Sequence, residues 1–163
     1  MAVGDAYRLF PAAHWLYHCD AAWWDVHHGC PDFTGEKWSS TGDGNDKTAA
    51  AKRHGLKLIA GRHREGFCLA PGIIHYGSNS GFQAINLALQ FGCRRLVLVG
   101  FDMTRGHFFG EHPQPLIRNN DYRRFVPHFK RAAEMLPQGT EIINATPGSA
   151  LTCFPYRPLS EMV

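Results

Sequence analysis

Long hydrophobic runs are missing from this 163-residue chain. No stretch approaches the ~20 apolar residues that cross a bilayer. Nor is Met1 followed by the basic segment and apolar core of an export signal. The chain is therefore expected in the cytoplasm, away from membranes. A CxxC pair is also missing. Cys19, Cys30, Cys68, Cys93 and Cys153 are odd in number and scattered, which argues against a disulfide framework and leaves buried free thiols. Basic charge is nowhere concentrated. The net charge is +3, and Lys52–Arg53, Arg94–Arg95, Arg123–Arg124 and Lys130–Arg131 are separate small groups. They are weak support for a nucleic-acid partner and none for a membrane. Repeats, low-complexity tracts and linkers are absent, so residues 1–163 read as one domain.

What is present is an alternation of short β-rich runs with helical stretches, the pattern of an α/β fold with a parallel sheet and crossover helices. Expected strands are Trp15–Cys19, Leu56–Ala60, Ile73–Tyr76, Leu96–Gly100 and Glu141–Asn144. Expected helices are Ala21–His28, Asn45–His54 closed by Gly55, Ser80–Phe91 closed by Gly92, and Asn120–Leu136. Lys37–Asn45 is polar and rich in Ser and Gly, and reads as a loop. Leu96–Gly100 (LVLVG) reads as a strand buried on both faces. Pro127 either bends the last helix or marks its true start. Trp23–Trp24 reads as core. Ser80–Phe91 is the clearest helix, apolar on most faces and without charge, with one polar stripe of Asn79, Gln83, Asn86 and Gln90. Such a helix needs cover on both sides, from the sheet on one and a partner subunit as a candidate for the other.

The strongest local signal is the run Ile73-Ile-His-Tyr-Gly-Ser-Asn-Ser-Gly81 leading into that helix. A strand entering a Gly/Ser turn at a helix start presents unpaired backbone N–H groups at the positive end of the helix dipole, where phosphate or carboxylate binds. Gly77 and Gly81 let the backbone come close, and Ser78 and Ser80 add hydroxyls. Alternatively, Ser78 or Ser80 only caps the helix. The turn is neither a Walker motif nor a GxGxxG fingerprint. Ligands of open parallel sheets lie beyond the C-terminal strand ends. Polar groups fall there at Asp20, at Gly77–Gly81, at Asp102 and at Asn144–Ser149. Asp102 suits a magnesium or ribose-hydroxyl partner and equally a turn cap; Asp20 suits a helix cap somewhat better. His107 and His112 follow in a loop, suited to general base work or phosphate contact. With Asp102 they number three metal donors, in no specific zinc spacing.

The segments 4–24, 77–103 (GSNSGFQAINLALQFGCRRLVLVGFDM), 107–113 (HFFGEHP) and 144–155 (NATPGSALTCFP) together resemble a widespread, mostly phage-encoded group of small proteins. That group is similar to the MptE-like 6-hydroxymethylpterin diphosphokinase and flagellar-glycosylation Maf superfamily, and more remotely to the family 42 sialyltransferases. The resemblance implies a Rossmann-like three-layer fold with a mostly parallel sheet and a nucleotide or nucleotide-sugar ligand. It implies that Ser78, Asn79, Ser80 and Gly81 hold phosphates. Asp102 would lie beside the substrate or a Mg2+ ion, and Asp20 would face the same cleft. His107 is a candidate base from its loop position alone. The family pattern opens with a strand and a Gly-Pro-Ser turn. The chain matches from the second strand of that pattern, so the expectation is a start upstream or a version without half of the phosphate site.

Three functions compete on these residues. A transferase would move a glycosyl or diphosphate group of a small phosphorylated ligand, with Asp102 and His107 catalytic. A binding module would keep the anion site without the chemistry. A nucleic-acid-associated phage protein would use the scattered Arg and Lys. They rank in that order.

Overall fold

The computed structural model describes residues 1–42, 47–104, 106–107, 109–116 and 122–162. Five strands form one sheet in sequential order: β1 (Ala2–Val3), β2 (Trp15–Tyr17), β3 (Glu36–Thr41), β4 (Lys57–Arg62) and β5 (Ile73–His75). Every neighbouring pair is parallel. β6 (Arg95–Leu98) and β7 (Glu141–Asn144) form a separate parallel pair. Helices α1 (Ala21–Val26), α2 (Thr48–His54), α3 (Ser80–Gln90) and α4 (Val126–Glu134) lie in the connections. The fold is α/β and Rossmann-like, with parallel strands throughout.

Alternation along β2 sets the layers. Leu16 turns to one face and joins Trp23 and Trp24 of α1 and Ala51 of α2 in a buried cluster. Tyr17 turns to the other and meets Ile59, Ile74 and, from α3, Ala84 and Leu87. Helices therefore cover both faces of the sheet, and Trp23–Trp24 is core as expected. Phe82 and Ile85, also on α3, belong to another cluster with Leu98, Ile142 and the α4 residues Phe129 and Ala132. Residues Phe82–Leu89 are all buried. The second side of the uncharged helix is thus covered from within the chain, by α4 and the β6–β7 pair.

The middle of the α3 polar stripe, Gln83 and Asn86, is buried rather than wet. Gln83 Oε1 accepts hydrogen bonds from Tyr17 Oη at 2.6 Å and Ser40 Oγ at 2.8 Å. Asn86 Oδ1 accepts from the backbone N–H of Cys68 (2.9 Å) and His75 (2.8 Å), while its Nδ2 donates to Cys68 O at 2.7 Å. Gln90 continues the seam to Cys68 and Gly72. Each amide replaces water for groups that would be costly to bury unpaired. The irregular segment between β4 and β5 is pinned to the helix in this way.

Two expectations are corrected. The described part of Lys37–Asn45, residues 37–42, is not a loop: β3 runs through it and pairs with β2 and β4 on its two sides. Its serines are at most 1% exposed, and Ser40 is tolerated there because Gln83 takes its hydroxyl. Composition misled because strand preference depends on what the side chains meet. Nor is LVLVG buried on both faces. Leu98 points inward, whereas Val97 and Val99 are 38% and 50% exposed, because side chains alternate between the two faces and no layer among the described residues covers theirs. The expected helix starts at Asn45 and Asn120 lie outside the described residues. α2 closes at Gly55, which takes the left-handed φ of 65° that glycine accepts without strain. Pro127 marks the start of α4, where its missing N–H is harmless.

Candidate functional site

The turn before α3 has the geometry that its composition implies. Gly77 and Ser78 both take left-handed φ values, 50° and 62°, the second uncommon for a residue with a side chain. Asn79 is the N-cap, its Oδ1 accepting from Phe82 N at 2.8 Å. The cap reading therefore falls to Asn79 and not to either serine. The Ser80 hydroxyl is engaged with Cys19, accepting from its N–H and donating to its Sγ, both at 3.1 Å. Ser78 is exposed. The backbone N–H groups of Ser80 and Gly81 meet no acceptor among the described residues. The Phe101 ring packs on Gly81, where a Cβ would stand 2.9 Å from it.

The other expected segments gather around this turn. Cys19–Asp20, at the end of β2, is tied to it through Ser80. Asp20 caps α1, its Oδ1 accepting from Ala22 N at 3.0 Å. Beyond β6, Phe101 N donates to Thr146 Oγ1 (2.9 Å), Ser149 Oγ donates to Phe101 O (2.5 Å), and Ala150 N donates to Asp102 O (2.8 Å). Asn144 Oδ1 accepts from Thr146 N at 3.0 Å. Asn144 and Ser149 thus close turns with their side chains. Asp102 is exposed. The carboxylate facing His112 is that of Asp5, so Asp102, His107 and His112 do not form a cluster. Among the described residues, no group of three or more His, Cys, Asp or Glu is arranged to hold a metal ion.

Two buried groups and one half-buried group at the same edge are not evident from the sequence. Lys47, just before α2, is 4% exposed. Its ammonium donates to Ser40 O at 2.7 Å and to Cys19 O. Burial pulls its pKa down, opposed by the nearby Cys19 and Asp20. His18, at the end of β2, stacks on Trp23 with ring centroids 4.5 Å apart. Its Nδ1 accepts from Asp20 N at 3.0 Å, and burial pushes its pKa down to about 3. Asp5, after β1, is 4% exposed. It accepts from Trp23 Nε1 at 3.0 Å and pairs with Arg8 at 3.3 Å. Two imidazoles face it, His27 Nε2 at 3.7 Å and His112 Nδ1 at 3.8 Å. His107 Nε2 meets Tyr122 Oη at 2.5 Å, and its ring lies 4.7 Å from that of His112. Burial lowers the pKa of both His27 and His107. No local motif marks Asp5, His18 or Lys47; Asp5 and His18 follow short apolar runs, whereas Lys47 follows the polar segment 41–46 and carries no such signal.

The polar groups of β1, β2, β3, β5, β6 and β7 therefore meet at the C-terminal edge of the strands. An open groove at Ala12–Trp15 and Thr34–Glu36 lies at the opposite edge, and another lies beside Lys130, Ala133 and Cys153. Neither holds a titratable group whose pKa is raised by burial except Cys153. All five cysteines are free; burial raises Cys19 and sets Cys30 at about 11, which keeps both as thiols. No helix among the described residues is long and apolar enough to cross a membrane. Comparison with protein-family models, with curated proteins and with solved structures finds no match, so the site is read from its geometry.

Proposed function

We propose that the C-terminal strand edge binds a small phosphorylated ligand, a nucleotide or nucleotide sugar, and transfers a glycosyl or diphosphate group from it. One observation carries this reading. Among the described residues, the Ser80 and Gly81 N–H groups at the start of α3 meet no acceptor, beside an edge that gathers Asp5, His18, Asp20 and Lys47. A phosphate there would complete the helix end and meet its positive dipole. Charge developing on a leaving phosphate would face fixed backbone dipoles, which need no rearrangement as the bond breaks. Ser80, Asn144 and Ser149 shape the turns, Ser78 offers its exposed hydroxyl, and Asp102 is the carboxylate available to a Mg2+ ion carried by the phosphates. The engaged hydroxyls favour a second reading, a binding module without turnover; metal-dependent turnover of a bound nucleotide separates the two.

Thermal-shift screening against CMP, CDP, UDP, GDP, ATP, nucleotide sugars and a pterin, each with and without Mg2+, tests the binding. A ligand at 100 times its Kd adds about 2.7 kcal/mol of stability. A selective shift that Gly81→Val abolishes in a folded variant supports the site. No shift with any of these compounds removes the reading.

A further inference from the structure

We infer that His112 is the proton acceptor of this edge and that Asp5 is the residue that positions it. The inference rests on the ligand reading above but is carried by a different part of the molecule. His112 Nδ1 is buried without a hydrogen-bond partner, 3.8 Å from Asp5 Oδ2. Asp5 Oδ1 faces His27 Nε2 at 3.7 Å, another buried nitrogen without a partner. Orphaned buried nitrogens are rare in folded proteins and need an explanation.

The tautomers supply it. The Arg8 guanidinium donates to His27 Nδ1 at 3.4 Å, and arginine can only donate. His27 Nδ1 is therefore the bare nitrogen, and Nε2–H points at Asp5. Together with Trp23 Nε1–H and Arg8, this gives Asp5 Oδ1 and Oδ2 donors from its own side. The remaining approach, to Oδ2, is that of His112. A carboxylate on that side selects Nδ1–H in His112 and leaves Nε2 bare. The His112 side chain is 23% exposed while its Nδ1 is buried, so the exposed part of the ring lies away from Asp5. Carboxylate–imidazole contacts of this kind are often long without ligand and shorten when it binds.

His107 is the poorer acceptor, because Tyr122 occupies its Nε2. It packs edge-to-face against His112 and stacks on Phe109, with ring centroids 4.7 Å apart in both contacts, and so fixes the ring from the loop side. Charged and titratable groups around the pair are Asp5, Arg8, His27 and His107, with His18 beyond the Trp23 ring. In the transfer step an acceptor hydroxyl would give its proton to His112 Nε2 as its oxygen bonds to the transferred group. The bond to the leaving phosphate breaks with its electron pair on the phosphate oxygen. The resulting imidazolium is balanced by Asp5.

Imidazole two-bond 1H–15N correlation spectra of the 15N-labelled chain test the pair without any ligand, with His112→Gln for assignment. The expected result is the Nδ1–H tautomer for neutral His112 and a shift to Nε2–H in Asp5→Asn. Diethylpyrocarbonate should modify His112 faster than any other histidine, and at least tenfold more slowly in Asp5→Asn. A neutral His112 with Nε2–H in the wild type overturns the inference, whether or not Asp5→Asn folds. So does a folded Asp5→Asn with unchanged tautomer and reactivity. A ligand shift that survives either result would leave the binding reading standing alone.

Discussion

The two edges of the strands carry charge in opposite ways. At the N-terminal edge the ion pairs are exposed: Glu36 with Lys57, and Arg95 with Glu141 at 3.1 Å, each partner at least 44% exposed. At the C-terminal edge Asp5 and Lys47 are both 4% exposed, and His18 is held neutral by burial. Parallel strands place the helix starts of all crossovers at the second edge, where polar turns and unpaired N–H groups collect. Exposed pairs need no partner to remain soluble. Buried charges persist only where the surrounding fold supplies hydrogen bonds, and here it does so at one edge only.

Changes at the two edges should therefore differ in size. Gly77→Ala should be the most damaging, because a methyl at φ 50° would fall inside the Phe82 ring. We expect a loss of about 3 kcal/mol or more in urea denaturation. Lys47→Met should follow at about 2 kcal/mol. It strands the carbonyls of Cys19 and Ser40 but relieves a buried charge. Equal stability of the Met variant and the wild type would mean that Lys47 is not held as described.

Acid should act through His18. Its folded pKa of about 3 lies below the ordinary histidine value, so the unfolded chain binds more protons between the two. Stability from this group is full above pH ~6.5 and falls by about 1.4 kcal/mol per pH unit below it, down to the folded pKa. His27 and His107 are shifted in the same direction and add to the slope. His18→Phe keeps a flat ring on Trp23 and should flatten the slope of stability against pH between 4 and 6. An unchanged slope would assign the acid sensitivity elsewhere. The smallest effect is expected at the other edge. Glu36→Gln removes an exposed pair and should leave the Tm unmoved within error.

Much of this contrast lay in the sequence as position and not as partnership. The Gly77–Gly81 turn, the α3 helix and its polar stripe were legible because each is encoded by residues a few places apart. β3 was not, because Ser39 and Ser40 look like loop residues until Gln83, from a distant helix, takes the hydroxyl of Ser40. The exposed face of β6 was missed for the converse reason: an apolar run says nothing about whether a second layer covers it. His107 was preferred to His112 while Tyr122 and Asp5 were out of sight.

By itself the sequence determined the alternation of strands and helices, the C-terminal end of α2, the ends of α3, and the backbone of the Gly77–Gly81 turn. Capping, glycine φ and hydrophobic period act within a few residues and need no tertiary information. Only the folded chain decided which titratable groups are buried and what faces them. Asp5, His18, Lys47 and His112 come from four separate connections. Their charges and tautomers depend on solvent exclusion and on donors that parallel packing brings to one edge.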